Sequence, residues 1–186
     1  MTIRHATPGD ASLIADIGAR TFRDAFGPDN DPADLALYLA AAFAPETVDA
    51  ELADPASTFL VAETAETAEP VGYARVVADR PHPALPGVRA AGLARIYVEQ
   101  AALGTGVGDA LMAACLDEAA RTGHGAVWLS VWERNPRAIR FYERWGFRAV
   151  GETTFTVGTD VQRDVVMARD ADARVTPAPA GPPGRA

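Results

Sequence analysis

Apolar side chains recur along the chain at two spacings, and each spacing predicts a different element. A repeat of three or four residues forms one face of a helix, whereas alternating or continuous apolar runs of four to eight residues indicate a strand. Proline and glycine mark many boundaries, as at Pro32, where a helix begins, and at Gly146, where one ends. The pattern predicts helices over residues 8–26, 32–43, 45–53, 107–122 and 136–145. It predicts strands over residues 2–6, 58–63, 71–77, 93–98, 126–131, 147–157 and 161–168.

The connections between these elements predict a mixed sheet. Short turns at residues 64–70 and 158–160 join strands that we expect to pair as antiparallel hairpins. A helix separates strands 93–98 and 126–131, and a crossover of that kind joins parallel neighbours. The loop 78–91 holds several prolines, and we expect it to be exposed and to frame a substrate site. The chain is therefore predicted to be an α/β (α+β) protein.

Length and composition favour one domain followed by a tail. The 186 residues are 48% hydrophobic, which is enough to bury one core. Residues 171–186 are instead rich in proline, alanine and glycine and offer little to bury. We expect a single domain over residues 1–170 and a disordered tail over residues 171–186.

Charge and cysteine content restrict the partners and the compartment. The 17 basic and 25 acidic residues give a formal net charge of -8, which argues against nucleic acid as a partner. The single cysteine, Cys115, lies on an apolar helix face, and no apolar run is long enough for a membrane span. The three histidines lack the spacing of metal ligands. We expect a cytoplasmic protein with no metal, no nucleic acid and no membrane partner, and the sequence leaves a homodimer open.

A strand, a glycine-rich turn and a helix follow one another from Leu93 onward. The turn, residues 103–108 and hereafter the glycine turn, contains Gly-x-Gly-x-Gly. A helix N-terminus presents unpaired N–H groups and the positive end of the helix dipole, and glycines let a phosphate approach that backbone. The pattern is neither a P-loop nor the dinucleotide-binding Gly-x-Gly-x-x-Gly. It predicts a pyrophosphate cradle, although a tight turn into a helix also needs glycine for conformational reasons alone.

A second motif, at residues 135–147, reads Asn-x-x-Ala-Ile-x-Phe-Tyr-x-x-x-Gly-Phe. Together with the glycine turn it resembles the GNAT superfamily of acetyl-CoA-dependent N-acetyltransferases, in which both motifs occur in this order. The resemblance extends over residues 2–169. It implies a GNAT-like mixed, mostly antiparallel seven-stranded sheet flanked by four or five helices. It also implies direct transfer of an acetyl group from acetyl-CoA to a primary amine.

The resemblance implies a role for each motif residue. In the family the two central strands splay apart, so that the backbone of Ile96, Tyr97 and Val98 pairs with the pantetheine amides. Asn135 contacts the cofactor arm near the thioester, and the phenol of Tyr142 protonates the departing CoA thiolate. Helix capping by Asn135 and simple packing of Tyr142 are the structural alternatives. The pyrophosphate is expected on the backbone N–H groups of Leu103, Gly104, Thr105, Gly106, Val107 and Gly108.

One cofactor position departs from the family pattern. Leu103 stands where the family usually has arginine or glutamine. Backbone donation survives that change, but a side-chain contact to phosphate is lost, and weaker cofactor affinity is expected.

Shorter segments narrow the resemblance and suggest an acceptor. Residues 22–26, 95–98, 128–135 and 158–164 resemble the PaiA-type branch, which acetylates spermidine, spermine and related amines. The acceptor implied is a small cationic amine or polyamine. The branch carries acids just before its Arg-Ile-Tyr-Val and a histidine in its last hairpin, where this chain has Gly92, Ala94 and Thr153. These differences point to an altered acceptor.

The general base is not identified by the motifs. Glu99, Glu133 and Asp164 are the acids expected near the cleft, and proton removal through ordered water is the alternative. Two other functions stay open: an acetyl-CoA-binding sensor or degenerate member without turnover, and a protein N-terminal or amino-acid acetyltransferase. Tyr142 favours an enzyme, whereas Leu103 and the lack of an obvious base favour degeneracy.

Overall fold

The computed structural model describes residues 1–171. None of the helices in that range is long and apolar enough to cross a membrane. The strands are β1 Thr2–His5, β2 Ser57–Glu63, β3 Pro70–Val77, β4 Ala90–Val98, β5 Ala126–Trp132, β6 Arg148–Val157 and β7 Asp160–Asp170. The α-helices are α1 Ala11–Phe26, α2 Pro32–Ala42, α3 Pro45–Ala53, α4 Val107–Arg121 and α5 Pro136–Arg144.

The seven strands form one sheet in the order β1-β2-β3-β4-β5-β7-β6. β4 and β5 run parallel, and the other neighbouring strands of residues 1–171 pair antiparallel. The helix α4 makes the crossover between β4 and β5. The predicted mixed, mostly antiparallel sheet and both predicted hairpins are confirmed.

Helices cover both faces of the sheet. On one face α4 packs through Leu111, Met112 and Cys115, with α5 beside it. On the other face α1, α2 and α3 form a second cluster that includes Ile14 and Ile17. The sheet therefore has a buried cluster on each of its faces, which is the arrangement that helical layers on both sides produce.

Three predicted boundaries are wrong by a few residues. The helix α1 begins at Ala11, because Asp10 accepts hydrogen bonds from Thr7 and Arg4 and residues 8–10 form a tight 3-10 turn. β4 begins at Ala90, since residues 90–92 pair with β5 at the sheet centre despite their weak strand propensity. Ala171, expected in the tail, is buried, and its N–H donates to the carbonyl of Gly125 at 3.0 Å. The rest of the predicted tail lies outside the described residues.

Candidate active site

A cleft opens where β4 and β5 separate. The two strands pair at three positions, ending with Gly92 opposite Trp128, although β4 continues to Val98 and β5 to Trp132. β4 keeps its pairing with β3 on its other side up to Val98. Within residues 1–171 the second edge of residues 93–98 therefore has no strand partner. The resulting cleft has a volume of about 1010 Å³.

A bulge in β4 contributes to this separation. Arg75 of β3 lies opposite Arg95, but the next residue, Val76, lies opposite Leu93, so that Ala94 is an extra residue in the ladder. A bulge of this kind bends its strand and increases the local twist. The bulge lies directly after the last residue of β4 that pairs with β5, Gly92.

The glycine turn lies at one side of this cleft and leads into α4. Gly104 and Gly106 have φ angles of +79° and +91°, and a Cβ at either would have no neighbour within 4 Å in the described chain. Glycine is required here by the backbone conformation, and the space above the turn is open. No side chain of residues 1–171 caps the N-terminus of α4 at Gly106. The unpaired N–H groups of a long helix thus face an open cradle, which suits an anionic group.

The structure brings most of the sequence-predicted residues to this cleft. Thr105 and Val107 are the exceptions, because they line a separate cavity beside β1 and β3, and the Val107 side chain is buried in the core. Leu103 is 38% exposed. The predicted residues that line the cleft are Ile96, Tyr97, Val98, Leu103, Gly104, Gly106, Gly108, Asn135 and Tyr142.

Asn135 and Tyr142 lie on the same side of the cleft as the glycine turn. The Asn135 Oδ1 accepts from the N–H of Ala138 at 3.0 Å and caps α5, which confirms the capping role. Its amide nitrogen is not used by that bond. Tyr142 is half-buried between Phe141 and Phe147, and burial raises the pKa of its phenol well above the usual value. We call this side, on the α4 and α5 face of the sheet, the glycine side.

The opposite side of the cleft faces α1 and α2 and carries charged residues. Trp128, Ser130 and Trp132 alternate along β5 and point to this face, where Trp132 contacts Phe26 of α1 at a ring distance of 6.0 Å. Asp164 of β7 lies directly opposite Trp132 and therefore shares its face. We call this the charged side.

The three acids considered from the sequence occupy different places. Glu99 pairs with Arg20 at 2.5 Å and lines the separate cavity, and Glu133 pairs with Arg163 at 2.6 Å. Asp164 alone among the three lines the cleft. It is buried, and desolvation raises its pKa more than a hydrogen bond from Ser130 lowers it.

Several cleft residues were missed from the sequence. Arg75 and Arg95 share the carboxylate of Glu51, an ion-paired cluster beneath the charged side. Arg80 lines the cleft from the loop after β3, and Arg144 of α5 lies over the ring of Phe141 on the glycine side. The proline-rich loop was expected to frame a site, but nothing in the sequence singled out these arginines.

Comparison with known proteins identifies the class to which this fold and cleft belong. Residues 20–147 match the Acetyltransferase (GNAT) family. An uncharacterised N-acetyltransferase of Mycobacterium bovis is 34% identical over 161 residues, which cover 87% of this chain and 97% of that protein. The chain belongs to the GNAT acetyltransferase family.

Solved structures share the fold. A GCN5-related N-acetyltransferase from Rhodopseudomonas palustris has a TM-score of 0.71 at 18% identity, covering 91% of this chain and 94% of its own. The PaiA N-acetyltransferase of Thermoplasma acidophilum, in complex with coenzyme A, has a TM-score of 0.72 at 14% identity, covering 91% and 99%. At these identities both likenesses show the GNAT fold and not the acceptor.

The protein is thus an acetyl-CoA-dependent N-acetyltransferase, and its cleft fits that molecule. A free strand edge can accept the amides of the pantetheine arm, and an uncapped helix N-terminus with an open glycine turn can accept its pyrophosphate. Within residues 1–171 no group of three or more histidines, cysteines or acids is placed to hold a metal ion.

Proposed function

We propose that the enzyme transfers the acetyl group directly to a primary amine that enters the charged side as a cation and docks at Asp164. The observation that carries this proposal is a buried, unpaired carboxylate. Asp164 is 5% exposed and lines the cleft, and it makes no salt bridge within residues 1–171. Leaving such a group without a cation is costly. An ammonium group would supply the missing partner.

The glycine side holds acetyl-CoA in this proposal. The backbone of Ile96, Tyr97 and Val98 pairs with the pantetheine arm, and the N–H groups of the glycine turn receive the pyrophosphate. The free edge of β4 supports the first assignment, and the uncapped start of α4 supports the second. Arg144, near the turn through Phe141 and Gly108, adds a positive charge on this side.

The chain's own residues perform the proton transfers. Acetyl-CoA supplies the activated acyl group as a thioester. Asp164 holds the ammonium group and accepts one of its protons, which frees the nitrogen lone pair to attack the thioester. The second proton leaves nitrogen for water as the C–N bond forms, and Tyr142 donates its phenolic proton to sulfur as the C–S bond breaks and regains a proton from water. The raised pKa of each group suits its task, because Tyr142 stays protonated at neutral pH and Asp164 is a stronger base than a free aspartate.

Direct attack is favoured over a covalent enzyme intermediate by the state of the single cysteine. Cys115 is fully buried in the core, and burial raises the pKa of its thiol above the usual range. A buried thiol of this kind is a poor nucleophile. The amine is therefore the group that attacks the thioester.

A cationic acceptor is supported by other acids at the cleft. Asp24 and Asp29 line the same cleft from the α1 side, and the chain as a whole has a formal net charge of -8. Charges of this sign concentrate small cations at the entrance. Small amines that are cations in solution, polyamines among them, are the first acceptors to test.

The test is release of free CoA thiol with a panel of primary amines, using Asp164→Asn and a matched control, Glu133→Gln, in an acid outside the cleft. General base catalysis is worth about 10²–10⁴-fold, so Asp164→Asn should lower kcat/KM by at least about 100-fold and keep its affinity for acetyl-CoA. The control, Glu133→Gln, should keep about the kcat/KM of the parent enzyme. A parental rate in Asp164→Asn would contradict docking at this carboxylate.

A further inference from the structure

Arg80 lies across the floor of the charged side. Its guanidinium carbon is 4.8 Å from the centre of the Trp128 ring. A Cβ built at Gly92 would lie 2.6 Å from the Arg80 Cδ, so the side chain crosses β4 at the point where β4 and β5 last pair. It therefore lies where the cleft begins to open.

The backbone around Arg80 is fixed from several directions. The Trp128 indole N–H donates to the Arg80 carbonyl at 2.8 Å, and the Arg80 N–H donates to the carbonyl of Ala90 at 2.9 Å. The preceding residue, Asp79, has a φ of +48° and donates its N–H to His124 at 3.0 Å. A non-glycine residue in this region is uncommon and often marks a functional constraint. These contacts fix the backbone at Arg80, and its side chain lines the cleft.

Arg80 has no acidic partner within residues 1–171. None of the salt bridges or side-chain hydrogen bonds there uses its guanidinium, and burial lowers its pKa without an opposing carboxylate. Besides burial, the positive charge of Arg80 lowers the pKa of its neighbour Arg75. The charge of Arg80 is therefore available to an anion that enters the cleft.

Arg80 and Asp164 both lie on the charged side, and both lack a salt bridge within residues 1–171. The Arg80 guanidinium lies over the Trp128 ring. Trp132 lies four residues further along β5, and Asp164 is its partner on β7. Four strand residues span about 13 Å. If this backbone span is taken as the separation of the two charged groups, two hydrogen bonds of about 2.8 Å each leave roughly 7 Å between an anion and an amine nitrogen. That span is too long for an α-amine and suits an amino acid whose amine lies at the end of a side chain or a longer chain.

We infer that Arg80 binds a carboxylate of the acceptor, so that the acceptor is an amino acid whose reacting amine is several bonds away from that carboxylate and docks at Asp164. This inference rests on the function proposed above and names the substrate class of that site. A planar guanidinium can take a carboxylate in a bidentate pair, and stacking on Trp128 preorganises it to do so.

The same arrangement disfavours a polyamine. Gly92 and Ala94 stand where the PaiA-type branch has acids, and Arg80 occupies the space beside Gly92. A second ammonium group bound at that end would face a guanidinium instead of a carboxylate. Like charges brought together in a partly buried site repel each other.

The experiment compares matched acceptors on the parent enzyme and on Arg80→Gln. Each amino acid of a panel that varies the distance between amine and carboxylate is paired with its carboxamide and its decarboxylated amine. We expect the best amino acid to exceed its carboxamide in kcat/KM by at least about 10-fold, since a hydrogen bond to a charged acceptor is stronger than one to a neutral amide. Arg80→Gln should abolish this preference by lowering kcat/KM for the amino acid to about that of its carboxamide.

Two further variants separate binding from a structural role. Arg80→Lys should restore part of the preference, because it keeps the charge but loses the bidentate fork. Gly92→Ala should weaken the preference by displacing Arg80 without removing its charge, and Arg148→Gln, an exposed arginine outside the cleft, should change nothing.

The outcomes distinguish this inference from the proposed function. If polyamines or carboxamides are acetylated as fast as amino acids and Arg80→Gln changes no ratio, the carboxylate assignment is wrong while the amine acetyltransferase stands. A preference for phosphoethanolamine over every amino acid would overturn the carboxylate in favour of a phosphate. If Asp164→Asn acetylates all acceptors at the parental rate, the proposed function itself fails.

Discussion

The glycine side of the cleft is built mostly from backbone, whereas the charged side is built from side chains. The free edge of β4, the glycine turn and the start of α4 offer N–H and C=O groups in fixed positions. Arg80, Ser130 and Asp164 come from a loop and two strands that are distant in sequence. Backbone groups can bind a ligand that is the same in every member of a family, whereas side chains can change between members and so bind different ligands. In the function proposed above, the first side binds a cofactor shared by a whole family, and the second selects the acceptor.

The largest expected effect is that of Tyr142, on the glycine side. Tyr142→Phe removes the proton donor but keeps the packing ring, so kcat should fall by about 10²–10⁴-fold while acetyl-CoA binding is retained. Steady-state kinetics and calorimetric titration of the same preparation measure both quantities. A mutant with the parental kcat would make Tyr142 a packing residue and move the acid elsewhere.

A change to the backbone of the glycine turn should weaken acetyl-CoA binding and leave the preference among acceptors unchanged. Gly106→Ala places a side chain at a φ of +91° in the phosphate cradle, and the left-handed conformation costs about 1–2 kcal/mol. That strain lowers the free energy of unfolding, and the Kd for acetyl-CoA should rise separately, because the added Cβ lies in the space proposed for the phosphate or the turn changes its conformation to avoid the strain. The ratio of rates between acceptors should stay constant. The thermal shift that the ligand produces, which corresponds to about 2.7 kcal/mol at 100 times Kd, should shrink accordingly.

Gly87→Ala is the matched control for that change. Gly87 also has a positive φ, +74°, with open space around it, but it lies in the loop after β3. Both variants should lose a similar free energy of unfolding, and only Gly106→Ala should lose affinity for acetyl-CoA. Equal loss of affinity in both would mean that the cradle is not at the glycine turn.

The smallest expected effect is a gain in affinity for acetyl-CoA. Leu103→Arg should restore a side-chain contact with phosphate and tighten acetyl-CoA binding by about 2- to 5-fold at low salt, since an exposed charge contributes about 0.3–1 kcal/mol at a helix N-terminus. The gain should disappear at high salt, because exposed charges are screened. An unchanged Kd at low salt would show that the Leu103 side chain lies away from the phosphates.

The same contrast explains how much could be predicted from the sequence. The fold and the glycine side were predictable, because apolar spacing specifies the elements and a turn at positive φ needs glycine at fixed positions such as Gly104 and Gly106. The charged side was not. Arg80 is aimed by the unusual backbone of Asp79 and by Trp128, and no local pattern encodes that contact.

Asp164 shows most clearly what could not be predicted from the sequence. It was one of three acids named from the sequence, and they are distinguished by their tertiary partners. Glu99 and Glu133 are paired with arginines from distant parts of the chain, and Asp164 is left unpaired. Side-chain pairing across 79 and 30 residues cannot be inferred from one sequence.

The central claim is that acetyl-CoA and the amine are held by separate sides of one cleft, and titration of acetyl-CoA into Asp164→Asn beside Gly106→Ala tests it most directly. We predict that Asp164→Asn keeps the parental Kd within about twofold while its kcat/KM for the amine falls at least about 100-fold. Gly106→Ala should show the reverse, a raised Kd with an unchanged order of acceptors. Loss of acetyl-CoA affinity in Asp164→Asn as large as in Gly106→Ala would contradict the division into two sides.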